Sequence, residues 1–521
     1  MFSQQEDAWV YFNAKPNAQT YLDSPALILS QPALDRRSNQ RIALNFTDAP
    51  LETMYVAQIK AHAGISVLAQ SKWLNALHIR GTQANILALK AFPFVDKVVF
   101  ANKNLNTSSK KSFTSKFSKS AEKLKTTVDY AYGSSASQIQ MLNGQVLHQQ
   151  NHTGTGKIIA VLDAGFPGVN TAQPFQTLIA NNRILGGYDF VSRNENFFTG
   201  DDHGTLVLST MGGYKENSLI GTAPGASYYL FITEDDTSEG PVEESLWVEA
   251  AEKADSLGVD IITTSLGYFG GFTNPDYSHS YNDMNGNTNF ISKGAEIAFS
   301  KGIIVVASAG NEGTTTEPYI GAPADAVSVI TVGSVSVSED KSAFSSIGPS
   351  FDGRIKPDVM AQGSLTVVSD ALGNIGVSNG TSFSCPIMAG LIACLWQAFP
   401  EKTNQEIRQM VLQSSDRFSN PDNNFGYGIP NFSYALGLEI AQKTADFIVY
   451  PNPAGNEITF VFSSETNSAT VAIYSVLGQK VIEKQITDVN PVVSVQALKT
   501  GLYFYTLQAN GIYKTGKIIK Q

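Results

Sequence analysis

Cysteine is scarce in this sequence, with only Cys385 and Cys394 among 521 residues. The two stand nine positions apart in a stretch that reads as one helix, so a rise of about 1.5 Å per residue separates their α-carbons by roughly 13 Å. That distance excludes a disulfide between them and argues against a shared metal ion. Long apolar runs are also lacking, because stretches such as GIIVVASAG fall well short of the roughly 20 residues that span a bilayer. The sequence therefore predicts neither a disulfide framework nor a membrane span.

A secretory leader is not apparent in residues 1–4, MFSQ. This leaves either a cytoplasmic protein or an exported one whose leader is not part of this sequence. The length of 521 residues exceeds what one hydrophobic core usually supports, so we expect two or three domains. With 42% hydrophobic and 16% charged residues, the composition is typical of a globular protein.

The formal net charge of −10 is unevenly distributed. Residues 1–125 contain 16 Lys or Arg and 8 Asp or Glu, residues 126–440 contain 13 and 33, and residues 441–521 contain 7 and 5. A basic first segment beside a strongly acidic second one favours their association, because complementary fields attract. The alternative is that the lysines only keep a linker in solution.

The hydrophobic pattern changes along the chain and predicts three domains. Residues 1–104 mix short strands with helical patterns, which indicates a small α+β unit, and the Ser- and Lys-rich residues 105–132 read as a linker with a processing site. Residues 133–438 alternate apolar strands such as KIIAVLDAG with helices, which predicts a parallel sheet buried on both faces. Residues 446–521 alternate apolar and polar residues between turns, as in a β-sandwich.

The stretch NGTSFSCP, residues 379–386, joins a turn to an apolar helix. Gly380 permits the turn, and Pro386 is expected in the first helical turn, where its missing N–H costs nothing. Ser382 would then lie at a helix N-terminus, whose free N–H groups and partial positive charge suit an oxyanion. Taken alone, the Gly-Thr-Ser stretch is better explained by a serine N-cap on a buried helix.

Three further polar residues stand at predicted strand or helix ends. Asp163 ends the strand in AVLDAG, His203 begins a small-residue helix, and Asn311 follows the strand in VVASAGN. Ligands collect at the carboxyl ends of parallel strands. With Ser382, these residues supply a nucleophile, a base, an orienting acid and an oxyanion donor. Separately, each has a structural alternative, such as a turn or N-cap for Asp163.

Four stretches, VLDAG, DDHGTLVLSTMGG, VVASAGNEG and GTSFSCPIMAG, resemble the active-site blocks of the subtilisin-like serine peptidases. The resemblance covers about residues 130–436 and implies a three-layer α/β/α fold with a mainly parallel sheet. It implies Asp163, His203 and Ser382 as the catalytic triad and Asn311 as the oxyanion donor. The substrate-binding residues that it implies are Ser238, Glu239, Gly240, Ser265, Leu266, Gly267, Gly310 and Gly321.

The flanks resemble parts of secreted Bacteroidetes peptidases of this class. ALILSQPALDRRSNQ and QSKWLNALHIRG are similar to their pro-segment, and YPNPAGNEI with GLYFYTL is similar to their C-terminal sorting domain for type IX secretion. This resemblance implies a secreted or cell-surface protein, exported through the periplasm after loss of a leader. It also implies two partners, the type IX secretion machinery and the protein's own pro-segment as an inhibitor. The alternative for residues 1–104 is a permanent accessory domain.

The sequence thus predicts a secreted serine endopeptidase, made as a self-inhibited precursor, that hydrolyses proteins or peptides. No cofactor, metal-ligand set, nucleic acid or membrane partner is expected; structural calcium is compatible with the implied fold, although no EF-hand loop is present. The alternatives are a surface binding or adhesion protein that has lost turnover, and a ligase or cyclase using the same acyl-enzyme. The acidic residues Glu234, Asp235, Asp236 and Glu239 favour basic residues at upstream subsites.

Overall fold

The computed structural model describes residues 4–106, 130–235, 237–437, 448–461, 468–487, 490–509 and 512–521. The chain divides between Ile429 and Pro430 into two compact units. Most of the predicted linker, residues 107–129, lies outside the described residues, as do the predicted boundaries at 438 and 446. All the predicted domain boundaries stay predictions.

Residues 4–106 form the α+β unit that the sequence predicts. The elements are β1 Gln5–Phe12, α1 Ala18–Asp23, α2 Gln31–Asn39, α3 Thr53–Lys60, β2 Ile65–Ser71, β3 Ala76–Thr82, α4 Gln83–Ala88 and β4 Val95–Phe100. The strands form an antiparallel sheet in the order β2-β3-β1-β4. Val10, Ile79 and Val98 lie in one buried core with Ile59 of α3 and Ile86 of α4. Side chains alternate along a strand, so β1 also presents a second apolar face.

Residues 130–429 are built on a seven-stranded parallel sheet. The elements are α5 Ala136–Gln140, α6 Gln145–Gln149, β5 Ile158–Asp163, α7 Gln176–Ala180, β6 Ile184–Asp189, α8 His203–Gly212, β7 Tyr214–Lys215, β8 Leu219–Ile220, β9 Ser227–Ile232, α9 Pro241–Leu257, β10 Ile261–Thr264, α10 Phe290–Ser300, β11 Ile304–Ser308, β12 Ile330–Val335, β13 Val359–Gln362, β14 Thr366–Ser369, β15 Ile375–Ser378, α11 Thr381–Ala398 and α12 Asn404–Gln413. The strand order is β13-β12-β11-β10-β5-β9-β6, with every neighbouring pair parallel. Strands such as β5 and β11 are buried almost throughout, as predicted for a sheet between two helix layers.

Helices cover both faces of this sheet and give the predicted α/β/α architecture. Ile262 of β10 shares a core with α9 and α10, whereas the next residue, Thr263, contacts Cys385 of α11 on the other face. Among the described residues, α11 is long and apolar enough to cross a bilayer, with a mean hydropathy of 1.3, but 94% of it is buried inside the domain. The helix α11 is therefore buried to the extent expected of a core helix of a folded domain. Cys385 and Cys394 both lie in α11, and both thiols are free and buried.

The α+β unit covers α9 and α10 with its second apolar face. Trp9 of β1 stacks on Phe290 of α10 with ring centroids 5.2 Å apart, and its indole N–H donates to Ser245 Oγ of α9 at 2.8 Å. The carboxylate of Glu252 in α9 accepts the backbone N–H of Trp73 at 2.9 Å. Trp9, Trp73 and Phe290 belong to one hydrophobic core that continues into the parallel sheet. The α+β unit and the parallel-sheet domain therefore share one continuous core.

Five buried ionic side chains join the same two parts near the C-terminal end of α9. Arg36 and Arg37 of α2 both donate to the carboxylate of Asp255. Arg37 also pairs with Asp48 at 3.0 Å, and Asp48 pairs with Lys301 at 2.9 Å. All five side chains are at most 4% exposed, so their charges are compensated inside the protein rather than by water. We refer to these residues as the arginine–aspartate cluster.

Two antiparallel sheets form the C-terminal all-β domain. The described strands are β16 Ile448–Tyr450, β17 Glu457–Val461, β18 Ser468–Ser475, β19 Lys480–Thr487, β20 Val492–Ser494, β21 Gly501–Ala509 and β22 Ile512–Lys520. Their orders are β16-β17-β20 and β19-β18-β21-β22. Ile458 and Phe460 of the first sheet share a buried core with Val471, Leu507 and Ile518 of the second. This arrangement confirms the all-β domain predicted from the alternating pattern.

Candidate active site

Two predicted site residues, Asp163 and His203, meet where β5 ends and α8 begins. His203 Nδ1 lies 2.7 Å from Oδ1 of Asp163. The helix approaches the strand this closely because residue 204 is glycine: a Cβ there would lie 2.4 Å from the carbonyl oxygen of Gly165. Asp163 is buried and also accepts the backbone N–H of Ala164 at 2.9 Å. The carboxylate is thereby fixed against the imidazole.

This contact changes the acid–base behaviour of His203. The negative charge of Asp163 raises the pKa of His203 to about 9, because it stabilises the imidazolium more than partial burial disfavours it. The His203 side chain stays 33% exposed. Its Nε2 forms no hydrogen bond within the described residues. The ring is thus held through one nitrogen and accessible through the other.

Ser382 is the second residue of α11, after a turn that only glycine adopts readily. Gly380 precedes the helix with φ 148°. Ser382 is 9% exposed, and its Oγ donates to the carbonyl oxygen of Ser265 at 3.3 Å rather than to His203. The ring of the next residue, Phe383, lies 6.1 Å from the His203 ring, so the start of α11 lies close to the imidazole. Hydrogen bonds between such groups often tighten only when substrate binds.

Pro386 lies in the second turn of α11, and its predicted position in the first turn is wrong, because the helix begins at Thr381. A proline there cannot donate to the carbonyl four residues earlier, which belongs to Ser382. Ser265 uses this free acceptor, since its Oγ donates to the Ser382 carbonyl at 2.8 Å. Because the proline leaves this carbonyl free, the segment after β10 can form a hydrogen bond to the start of α11.

The orientation of the Asn311 amide is set by Thr381. Asn311 Oδ1 accepts both the backbone N–H and the hydroxyl of Thr381, at 3.0 and 3.1 Å. Because the Thr381 N–H must face an oxygen, Nδ2 of Asn311 points the other way. A Cβ built on Gly380 would lie 3.8 Å from Asn311 Nδ2 and 3.7 Å from the backbone nitrogen of Ser382. Two N–H donors therefore border the same small space beside Ser382.

A cavity of about 530 Å³ opens beside these donors and is lined by Asn311 and Ser382. It brings together five of the residues predicted to bind substrate, which are Ser265, Leu266, Gly267, Gly310 and Gly321. Gly267 leaves the wall open, because a Cβ there would have only the Ala322 carbonyl oxygen as a neighbour, at 3.9 Å. The cavity is thus a recess next to Ser382 and the two N–H donors.

A sequence model of the subtilase family matches residues 154–428, more than half of the chain. The chain belongs to the subtilase family. Subtilisin NAT of Bacillus subtilis subsp. natto and Subtilisin E of Bacillus subtilis (strain 168) are each 30% identical to it over 310 residues, which are 59% of this chain and 70% of each relative. Serine protease AprX of Bacillus subtilis (strain 168) is 27% identical over 338 residues, 59% of this chain and 71% of the relative. This subtilase is a serine endopeptidase.

Two further domains flank the subtilase region. A Bacteroidota-type propeptide domain of S8 peptidases matches residues 7–118, and a secretion system C-terminal sorting domain matches residues 448–521. These matches confirm the resemblances seen in the flanking sequences. The subtilase therefore carries a propeptide and a type IX sorting domain, and it is exported to the cell surface or the surroundings.

Three residues predicted to bind substrate, Ser238, Glu239 and Gly240, do not line the cavity of this subtilase. They precede α9, and the backbone of Glu239 pairs with Thr273. The Glu239 N–H donates to Thr273 Oγ1 at 3.1 Å, and the Glu239 carbonyl accepts the Thr273 N–H at 2.9 Å. The prediction that these three residues bind the substrate stays a prediction.

The acidic residues near that segment carry less charge than their number suggests. Glu234 accepts a hydrogen bond from the Tyr268 hydroxyl, and burial raises the pKa of the Glu234 carboxyl to about 8. Burial likewise raises the pKa of Glu243 to about 9. The raised pKa of each group disfavours its ionised form, and Asp236 lies outside the described residues. A preference for basic upstream residues would depend on Asp235 and Glu239.

Sequence reasoning missed two carboxylates of the cavity, Glu312 and Glu317. Both follow Asn311 in NEGTTTE, so their nearness in sequence was visible. Whether this loop folds back over the site depends on contacts with Ser346, whose Oγ donates to Glu312 Oε2 at 2.7 Å and accepts the Glu312 N–H at 3.0 Å. Residue 346 is 34 positions away in sequence, and a local sequence pattern cannot predict a contact over that separation.

The expectations about metals stay predictions. Within the described ranges, no group of three or more His, Cys, Asp or Glu side chains could hold a metal ion. The family match does not test structural calcium.

Proposed function

We propose that Asp163, His203 and Ser382 are the catalytic triad of this exported endopeptidase, which is made as a self-inhibited precursor and cleaves proteins or peptides. One observation carries the proposal: the 2.7 Å contact of His203 Nδ1 with Asp163, close to the start of the helix that carries Ser382. The contact leaves Nε2 as the nitrogen that faces a substrate. A serine hydroxyl needs such an oriented base to become a nucleophile.

In the proposed reaction, Ser382 Oγ attacks the carbonyl carbon of the scissile peptide bond while its proton passes to His203 Nε2. Asp163 holds the Nδ1–H and stabilises the imidazolium. The C–N bond then breaks, and His203 gives the proton to the leaving amine. Water repeats the sequence on the acyl-enzyme, with His203 again taking a proton, and releases the carboxylic acid.

Asn311 Nδ2 and the Ser382 N–H would stabilise the oxyanion that forms during both steps. Their position beside Ser382 supports this role, since donors help most when they are already oriented. The backbone of Ser265 to Gly267 and the cavity walls at Gly310 and Gly321 would hold the substrate chain next to them.

The self-inhibited precursor is supported by where the propeptide ends. Lys103 Nζ pairs with Asp283 at 2.6 Å and lies 3.1 Å from His279 Nδ1. The backbone N–H of His279 in turn donates to the carbonyl of Phe269 at 2.7 Å, and Phe269 lines the cavity. The described end of the propeptide is thus linked through His279 to Phe269, a residue of the cavity lining. Besides this intramolecular inhibitor, the proposed partners are peptide substrates and the type IX secretion machinery.

An active-site label tests the triad. A fluorophosphonate should react with Ser382 after the propeptide has been removed and much more slowly with the intact precursor, because only an oriented base activates the hydroxyl. Peptide mapping of the labelled protein locates the modified residue. Heat-denatured protein is the matched control, since it retains every serine but no triad. If the processed, folded protein is not labelled at Ser382, the proposal is wrong.

The pH dependence of hydrolysis should follow the ionisation of His203. Only the neutral imidazole takes the proton of Ser382, and Asp163 raises the pKa of His203 to about 9. We therefore expect kcat/KM to be low at neutral pH and to rise as the pH increases, with its midpoint above the usual histidine pKa of about 6.5. Steady-state rates of the processed enzyme on an uncharged peptide check this. A midpoint at or below the usual value would contradict the role given to Asp163.

A further inference from the structure

We propose that the cavity beside Ser382 takes a lysine or arginine side chain, so that the enzyme cleaves after basic residues, with Glu312 and Glu317 as the residues that determine this specificity. The inference rests on the proposed triad, because it concerns the substrate residue whose carbonyl Ser382 attacks. The cavity lies next to Ser382 and Asn311, where that residue's side chain must go.

The charge of the cavity lining is of one sign. Glu312 and Glu317 line it, and no Lys, Arg or His does so among the described residues. Glu312 Oε2 is held by the Ser346 hydroxyl, while its Oε1 accepts no hydrogen bond from the described residues. One carboxylate oxygen is thus fixed and the other is open to a ligand. A cation would find charge-assisted partners there, whereas a carboxylate would be repelled.

The Glu312 carboxylate can occupy its position only because Gly310 has no side chain. A Cβ on Gly310 would lie 2.3 Å from Glu312 Oε2, which means that the carboxylate folds back over this glycine. Glu317 belongs to the same loop, and its carbonyl accepts the Thr315 hydroxyl at 3.0 Å. The two carboxylates are therefore carried by a loop that begins directly at the oxyanion residue Asn311.

The rest of the lining suits the long stem of a basic side chain. Leu266 and Phe269 supply apolar surface, and Gly270 leaves space, because a Cβ there would meet no atom within 4 Å. Lysine and arginine bury their methylene stems along apolar surface while their charged ends remain among polar groups. An apolar residue such as leucine would contact this apolar surface but would give Glu312 Oε1 no charged partner.

The sequence of the protein contains a matching substrate. Between residues 107 and 129 there are six lysines, and this stretch begins inside the propeptide match, which ends at residue 118, and ends before the subtilase match, which begins at residue 154. An enzyme that cleaves after lysine would process its own precursor within this stretch. The acidic cavity and the lysine-rich stretch thus support the same specificity from different parts of the chain.

The test compares peptides that differ only in the residue before the scissile bond, which is Lys, Arg, Leu or Glu. With the processed enzyme we expect kcat/KM for Lys and Arg to exceed that for Leu at least about 10-fold, and Glu to be poorest. Glu312→Gln and Glu317→Gln should each lower the Lys to Leu ratio about 3- to 5-fold, the range of a partly exposed ion pair, and the double variant should lower it further. Glu339→Gln, a change of the same kind at an exposed residue outside the cavity, should leave the ratio unchanged.

The outcomes separate this inference from the triad. If the Leu peptide is cleaved as fast as the Lys peptide, or if the double variant keeps the wild-type ratio, the specificity is wrong while the triad stands. If no peptide is cleaved and Ser382 is not labelled, both are wrong. Sequencing of the new N-termini of the processed protein gives a second readout: cuts after lysine support the inference, and cuts after apolar residues only would overturn it.

Discussion

Replacing Ser382 with alanine should lower kcat by about 10⁶-fold, the loss known for removal of the corresponding serine in subtilisin. The variant keeps the oxyanion donors and the cavity, so substrate still binds, but no acyl-enzyme forms. The same change should leave the precursor uncut, because the proposed processing uses the same hydroxyl. Intact-mass measurement of both proteins after incubation checks processing. Peptide hydrolysis after the linker has been cut by an added protease, which is then inactivated, checks turnover.

Ser384→Ala is the matched control for this variant. Ser384 lies two residues further along α11, is fully buried, and donates to the Thr381 carbonyl at 3.0 Å. Its replacement removes one hydroxyl from the same helix turn and changes no residue that lines the cavity. We expect activity close to that of wild type. A Ser382→Ala enzyme that still processes itself would contradict the proposed nucleophile, and an equally inactive Ser384→Ala enzyme would point to helix damage instead.

Replacing both Arg36 and Arg37 with alanine should free the propeptide once the linker is cut. The two guanidinium groups are the partners of Asp255, whose side chain is 0% exposed. Removing one partner from a buried ion pair typically costs about 3–5 kcal/mol, which corresponds to a loss of roughly 10²- to 4 × 10³-fold in affinity. Wild-type propeptide should remain bound after cleavage and keep the enzyme inhibited.

Gel filtration and peptide hydrolysis after controlled cutting of the linker check this expectation. In the double variant, the propeptide should elute separately and activity should appear at once, whereas wild type should show one complex and a delay. Arg41→Ala is the control, since Arg41 is an exposed residue close to α2. Thermal unfolding of the uncut precursors shows whether the variant folds. If the double variant elutes as a complex and remains inhibited like wild type, the arginine–aspartate cluster does not hold the propeptide.

The order of the active-site motifs was enough to predict which strand and helix ends meet. In a parallel sheet, the carboxyl end of β5 and the start of α8 must lie on the same edge, so the meeting of Asp163 with His203 follows from topology. The same argument brings Asn311 and Ser382 to that edge. What topology leaves open is orientation, and the Asn311 amide is aimed by Thr381, a residue 70 positions away.

The position of Pro386 shows where local rules fail. Proline statistics favour the first helical turn, which predicted a later helix start. The fold tolerates the proline one turn further in because Ser265 satisfies the carbonyl that it leaves unpaired. The hydrogen-bond donor, Ser265, comes from the segment after β10. A rule based on neighbouring residues cannot account for a donor that is distant in sequence.

The charge asymmetry of the sequence predicted that the first segment binds the second, but not how. The contact rests on a few buried ionic groups, Arg36 and Arg37 with Asp255, and on the stacking of Trp9 on Phe290. Most of the lysines that made the segment basic lie in residues 103–125, largely outside the described residues. A net charge reports attraction at a distance, whereas the contact surface depends on which few charges become enclosed.

The burial of the two cysteines of α11 affects how the exported protein reacts with oxidants. Burial raises the pKa of Cys385 to about 12 and that of Cys394 well above its usual value. Oxidants and disulfides react with thiolates, which neither residue forms while the domain is folded. An exported molecule therefore keeps two free thiols in oxidising surroundings without becoming cross-linked to other chains. A thiol reagent would mark only the molecules that have lost their structure, so these residues report on the integrity of the secreted enzyme.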